Sequence, residues 1–171
     1  MHKTLVGLAG VLALTAPAAA AGTADATPAT ETWVMPSQTI HGSDHPIRIS
    51  ASGPIQGAGV LTQDFEMTDD GPVVHAVWHF RDGDVLADAT EDYALDFDPV
   101  SCTGKATATG SWTITGGTGA YAGAAGHGTF SGIGSLVGER DDRGGCLGPD
   151  SGADPRISVS TLRGTGVAQL P

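Results

Sequence analysis

Gly110-Ser-Trp-Thr-Ile-Thr-Gly-Gly-Thr-Gly-Ala-Tyr-Ala-Gly-Ala-Ala-Gly-His-Gly-Thr-Phe-Ser-Gly132 reads as a strand, a tight glycine turn, one compact coil and a returning strand. Side chains alternate across a strand. Trp112 and Ile114 therefore share one face, with Ser111, Thr113 and Thr115 on the other. Gly116, Gly117 and Gly119 supply positions where φ can be positive or two backbones can approach closely. Tyr121 is the one bulky side chain in the turn, so it is expected to plug an end of a core. The stretch indicates a fold better than it indicates an activity.

Outward from this hairpin the chain continues as strands joined by turns. Ile47–Ser52 alternates, with Ile47, Ile49 and Ala51 facing in, and Gly53-Pro54 marks a turn. Strands are expected over Gln56–Thr68, Val73–Arg81 and Val85–Phe97. Asp69-Asp-Gly-Pro72 separates the first two, and Arg81-Asp-Gly-Asp84 is a hairpin signal between the second and third. Lys105–Thr115 and His127–Val137 form the central hairpin. Glu139–Pro155 is a charged Gly/Asp loop, and Arg156–Val167 closes the sheet. No window after the N-terminal segment has a helical period. Regular short strands with glycine turns indicate an all-β barrel or sandwich.

The pattern Trp-x-Ile-x-Gly-Gly-Thr-Gly-x-Tyr-Ala-Gly-Ala-x-Gly-x-Gly-Thr-Phe resembles the signature hairpin of the allene oxide cyclase and dirigent barrel group. The close match runs from Cys102 to Gly132. The resemblance selects the barrel: a single antiparallel, roughly eight-stranded β-barrel, oligomeric in some members, with an apolar interior for a small ligand. Cyclases of the group use a barrel glutamate and a water held partly by an Asn. This chain contains no Asn, so that catalytic set does not carry over.

The 171 residues amount to one domain. Residues 1–20 have the three parts of a secretory signal peptide: His2 and Lys3, an apolar run Leu5–Leu14 too short to span a bilayer, and Ala18-Ala-Ala20. Residues 21–45 are expected to be a flexible lead-in with a candidate edge strand at Thr32–Pro36, and 46–171 the barrel. A net charge of −11 disfavours nucleic acid and anionic membranes as partners. Cys102 and Cys146, in an exported chain, are expected to form a disulfide, because both lie at the hairpin end far from the Gly116–Gly126 turn.

Glu91 is the most informative polar residue. In Val85–Phe97 the positions Val85, Ala87, Ala89, Glu91, Tyr93, Leu95 and Phe97 share a face, while Asp88, Thr90, Asp92 and Asp96 mark the wet one. A carboxyl on the apolar face would be pushed toward its neutral form and could act as a general acid or base. The plainer readings are a bulge that turns it outward or a structural pair with Arg48 or Arg81. His75 and His79 lie about 13 Å apart along one strand, too far to share an ion, and face away from Trp78 and Phe80. His41-Gly-Ser-Asp-His45 holds metal-ligand types without a complete set. The glycine cluster lacks the Lys-Ser/Thr and the following helix of a phosphate loop.

The leading expectation is a secreted barrel that holds a small apolar molecule against Tyr93, Trp78, Phe80, Trp112 and Tyr121, with Glu91 the catalytic candidate for cyclase- or isomerase-like chemistry. No cofactor or metal is called for, and a homo-oligomer is compatible with the resemblance. The alternative is a non-catalytic extracellular module whose lumen is filled by aromatic side chains. An open lumen lined by Glu91 favours the first reading and a packed lumen the second.

Overall fold

The computed structural model describes residues 27–40, 43, 45–68 and 71–171. Eight antiparallel strands close into a barrel in simple sequential order. They are β1 (Ala29–Ile40), β2 (Ile47–Ser52), β3 (Gly57–Thr68), β4 (Gly71–Phe80), β5 (Gly83–Asp98), β6 (Thr103–Gly117), β7 (Ala125–Val137) and β8 (Ile157–Gln169). The expected signal peptide and the start of the lead-in lie outside the described residues, as do His41 and Asp44.

Seven strands fall where alternation and turn residues place them. The first does not. β1 is not an edge strand but the closing strand of the barrel: it pairs with β2 at Thr32–Val34 and with β8 from Ala29 to Ile40. The barrel therefore begins at Ala29 rather than at residue 46, and the stretch to Ile40 is strand, not loop. Closure pairs β1 with β8 along its whole length, and among the described residues the β2 side of β1 lacks a ladder beyond Val34.

Alternation sends one side chain in two into the lumen, and the lumen is built in two levels. At the level of the aromatics, Trp33, Trp78, Trp112 and Phe130 form one cluster. Ring centroids are 5.9 Å apart for Trp33–Trp78, 6.2 Å for Trp78–Trp112 and 5.9 Å for Trp33–Phe130. Each such pair contributes about 0.5–1.5 kcal/mol beyond area burial. Glycines on facing strands make the room. A Cβ at Gly166 would come within 2.7 Å of the Trp112 ring, one at Gly110 within 2.6 Å of Phe130, and one at Gly164 would overlap the Trp33 indole.

Below the aromatics, the end holding the Gly116–Gly126 turn is closed. Ile49, Ile55, Val85, Ile114 and Tyr121 are buried there. Tyr121 belongs to the 3-10 turn Gly119–Tyr121, stacks on Phe80 at 5.6 Å, and so plugs an end of the core as the sequence indicates. The β2–β3 connection folds across this base. Its Ile55 amide donates to a carboxylate oxygen of Glu31 at 2.9 Å. Gly53 allows the crossing: its φ is +142°, and a Cβ there would meet Thr30 O and Glu31 Oε2.

At the other end, the Cys102–Cys146 disulfide ties the β5–β6 connection to the long loop between β7 and β8, as expected from the hairpin. Cys102 O accepts from the Gly138 amide at 2.8 Å, so the link is continuous with the backbone of the loop.

Candidate functional site

Above the aromatic cluster the lumen is open. A cavity of about 190 Å³ occupies it. Trp33, Trp78, Trp112 and Phe130 close it toward the base, and its walls are largely aliphatic: Met35, Leu61, Val74, Ala87, Ala89 and Leu162. The small residues on β4 and β5 are the physical reason for the space. Ala76, Ala87 and Ala89 contribute only methyl groups to the lining. The polar side chains in the lining are Ser37, Gln63, Ser160 and Glu91. Ser37 and Ser160 hydrogen bond to each other at 2.7 Å across β1 and β8.

Glu91 therefore lies where alternation along β5 places it. The one irregularity between β5 and β6 falls at Leu86/Ala87, where Ala87 pairs with Ile114 and Leu86 with Gly116. The extra residue is Thr115 on β6, so the alternation of β5 itself is unbroken and Glu91 is not turned outward. Neither Arg48 nor Arg81 pairs with it, and among the described residues it makes no hydrogen bond or ion pair. Burial among apolar groups holds its carboxyl above the ordinary range.

The aromatic candidates divide. Trp78 and Trp112 line the cavity. Phe80 and Tyr121 do not: they stack on each other in the closed base. Tyr93, two residues beyond Glu91, is 58% exposed and outside the lining. Phe65 lines the outer part of the cavity and is itself largely exposed, which makes the rim apolar. His75 and His79 face outward as expected and pair with different carboxylates. His75 Nδ1 meets Asp88 at 2.7 Å and His79 Nδ1 meets Asp84 at 2.9 Å. Among the described residues no group of three or more His, Cys, Asp or Glu side chains is placed to hold a metal ion.

Among the inward residues that escape the sequence reading, two on β1 matter most here. Trp33 belongs to the floor of the cavity. Glu31, fully buried beneath it, has one oxygen bonded to the Ile55 amide and the other without a partner. The signal was present as the alternation Glu31, Trp33, Met35, Ser37, but two of those four are polar and the segment is rich in Thr, Ala and Pro.

Burial pushes the Glu31 carboxyl up to about 7 from its ordinary 4.5, against the lowering effects of the Ile55, Ser52 and Thr32 amides. The folded state then holds this proton between pH 4.5 and 7, where the unfolded chain has released it. Stability from this group is full below pH 4.5, falls as pH rises to 7 and is flat above. The loss is roughly 3 kcal/mol at most. Glu31→Gln, compared with the native chain by urea unfolding, is expected to gain relative stability between pH 5 and pH 8. An equal difference at both pH values contradicts the assignment.

Comparison of the chain with protein-family models, with curated proteins and with solved structures gives no match.

Proposed function

We propose that this protein is an exported barrel that holds a small, mainly apolar molecule in the outer half of its lumen. One observation carries the reading: a cavity of about 190 Å³ with an indole floor and aliphatic walls, at the open end of a closed barrel. An engineered apolar cavity of ~150 Å³ holds benzene, so a molecule of one ring with a short substituent fits this volume. The likeness of the hairpin to allene oxide cyclase and dirigent barrels supports the same reading. Export is supported by the signal-peptide pattern at residues 1–20 and by the disulfide.

Binding is the first role and chemistry the second. Among the described residues Glu91 is the one acid in the lining, so a reaction here would be a single proton transfer on a conformer that the walls hold. The packed base favours the other reading, a filled module, for that half of the barrel only.

Ethylbenzene tests the proposal. At ten times its dissociation constant it is expected to stabilise the fold by roughly 1.4 kcal/mol and raise Tm by about 4 °C. Ala89→Phe fills the space beside Trp112 and should remove the shift while the chain still folds. No shift in the native chain, or the same shift in the variant, contradicts a ligand-holding lumen.

A further inference from the structure

We infer that the ligand of this cavity is a lipophilic amine that binds as a monocation, with its apolar body on the indole floor and its ammonium at Glu91. The inference rests on the ligand-holding reading above and adds the charge of the ligand.

The lining selects for sign. Among the described residues it contains one ionisable side chain, Glu91, and no Lys, Arg or His. A carboxylate or phosphate ligand would bring an anion beside an acid in an apolar space that offers no counter-charge among the described residues. The Glu91 side chain has no partner among the described residues, so a bound cation would supply the counter-charge that its ionised form lacks. The remaining polar groups agree. The Gln63 carbonyl and the Ser160 hydroxyl can both accept hydrogen bonds from an ammonium in the same lining.

The floor adds to this. Three indoles and one phenyl ring present π systems, whose faces attract cations and suit an aromatic or aliphatic body equally. The wall outside the mouth is net acidic. Asp64, Glu66, Asp88 and Asp92 lie on the outer faces of β3 and β5 around one imidazole, His75, which bonds to Glu66 and Asp88, and the chain as a whole carries −11. Such a field concentrates cations and repels anions.

The test is a matched series of one-ring probes: 2-phenylethylamine, 2-phenylethanol and phenylacetate, titrated by tryptophan fluorescence at low salt and pH 8. The amine is expected to bind at least tenfold tighter than the alcohol, and phenylacetate to bind more weakly than either. In Glu91→Gln the amine-to-alcohol ratio should fall to about one. Among the described residues Glu91 is the only titratable group in the cavity lining, so amine affinity of the native chain should also decline as pH falls and that carboxyl takes up a proton. Equal binding of amine and alcohol, or an amine preference that survives Glu91→Gln, overturns the amine assignment and leaves the ligand-holding barrel standing. Failure of all three probes to bind overturns both.

Discussion

Replacing Cys102 and Cys146 together by Ser is expected to cost the fold about 4 kcal/mol, the loop-entropy value for a sequence separation of 44 residues. The native chain under a strong reductant should lose the same amount. The effect is large because the cross-link closes a long loop that holds β6, the glycine turn and β7 and anchors the polar β7–β8 connection at Cys146. Its last part carries Gly138, Gly144 and Gly145, so the unlinked chain has much freedom to regain. Cys102 also holds a φ of +61°, the one positive value among the described non-glycine residues, with its amide bonded to Asp98 O and its carbonyl to the Gly138 amide. Paired urea titrations measure the loss. A double variant within 1 kcal/mol of the native chain would show that the mouth is held by other contacts. The cavity should survive in the variant, since neither cysteine nor the loop lines it.

Gly164→Ala is the second large effect. The position is buried on β8, and an added Cβ would overlap the Trp33 indole. Trp78, Trp112 and Phe130 pack around Trp33 at 5.9–6.5 Å, so the indole can shift only toward the cavity above it. Interiors are close-packed, so one extra methyl at such a site costs about 3 kcal/mol, or roughly 10 °C in Tm. Its exposed neighbour Thr165→Ala should stay within about 0.5 kcal/mol of the native chain. Calorimetry of the two variants separates a packing cost from a cost of strand propensity. If both lose the same amount, the indole contact is not the cause.

The contrast between these two glycine roles explains what the sequence made legible. Glycines at turns are visible because they interrupt alternation; Gly53, Gly71 and Gly83 all have positive φ at strand boundaries. Glycines inside strands, such as Gly164 and Gly166, are read only as weak strand formers until the indoles across the lumen are placed. Strand order and seven of eight strands follow from period-two patterns with turn residues between. β1 was obscured by Pro36 and by two polar residues on its inner face. Pro36 is tolerated because it lies beyond the last β1–β2 pair, Val34–Ser50, where the β8 side alone carries a ladder.

For the site, Glu91 was legible because β5 alternates cleanly through it, and Trp78 and Trp112 because each heads an apolar face. Trp33, Gln63, Ser160 and Leu162 were not, since their convergence depends on closure of the barrel between β1 and β8. Phe80 and Tyr121 were assigned to the ligand on aromatic character alone. Face does not tell depth along a barrel, and their depth puts them in the closed base.

The central claim is that the outer lumen takes a small apolar molecule. Bromobenzene soaked into crystals of the protein tests it most directly, because bromine is located by its anomalous signal. The account predicts a peak inside the barrel, between Trp112 and Leu162 and above the ring of Trp78. Bromine found only on the outer wall, with the lumen unchanged at saturating probe, would contradict it.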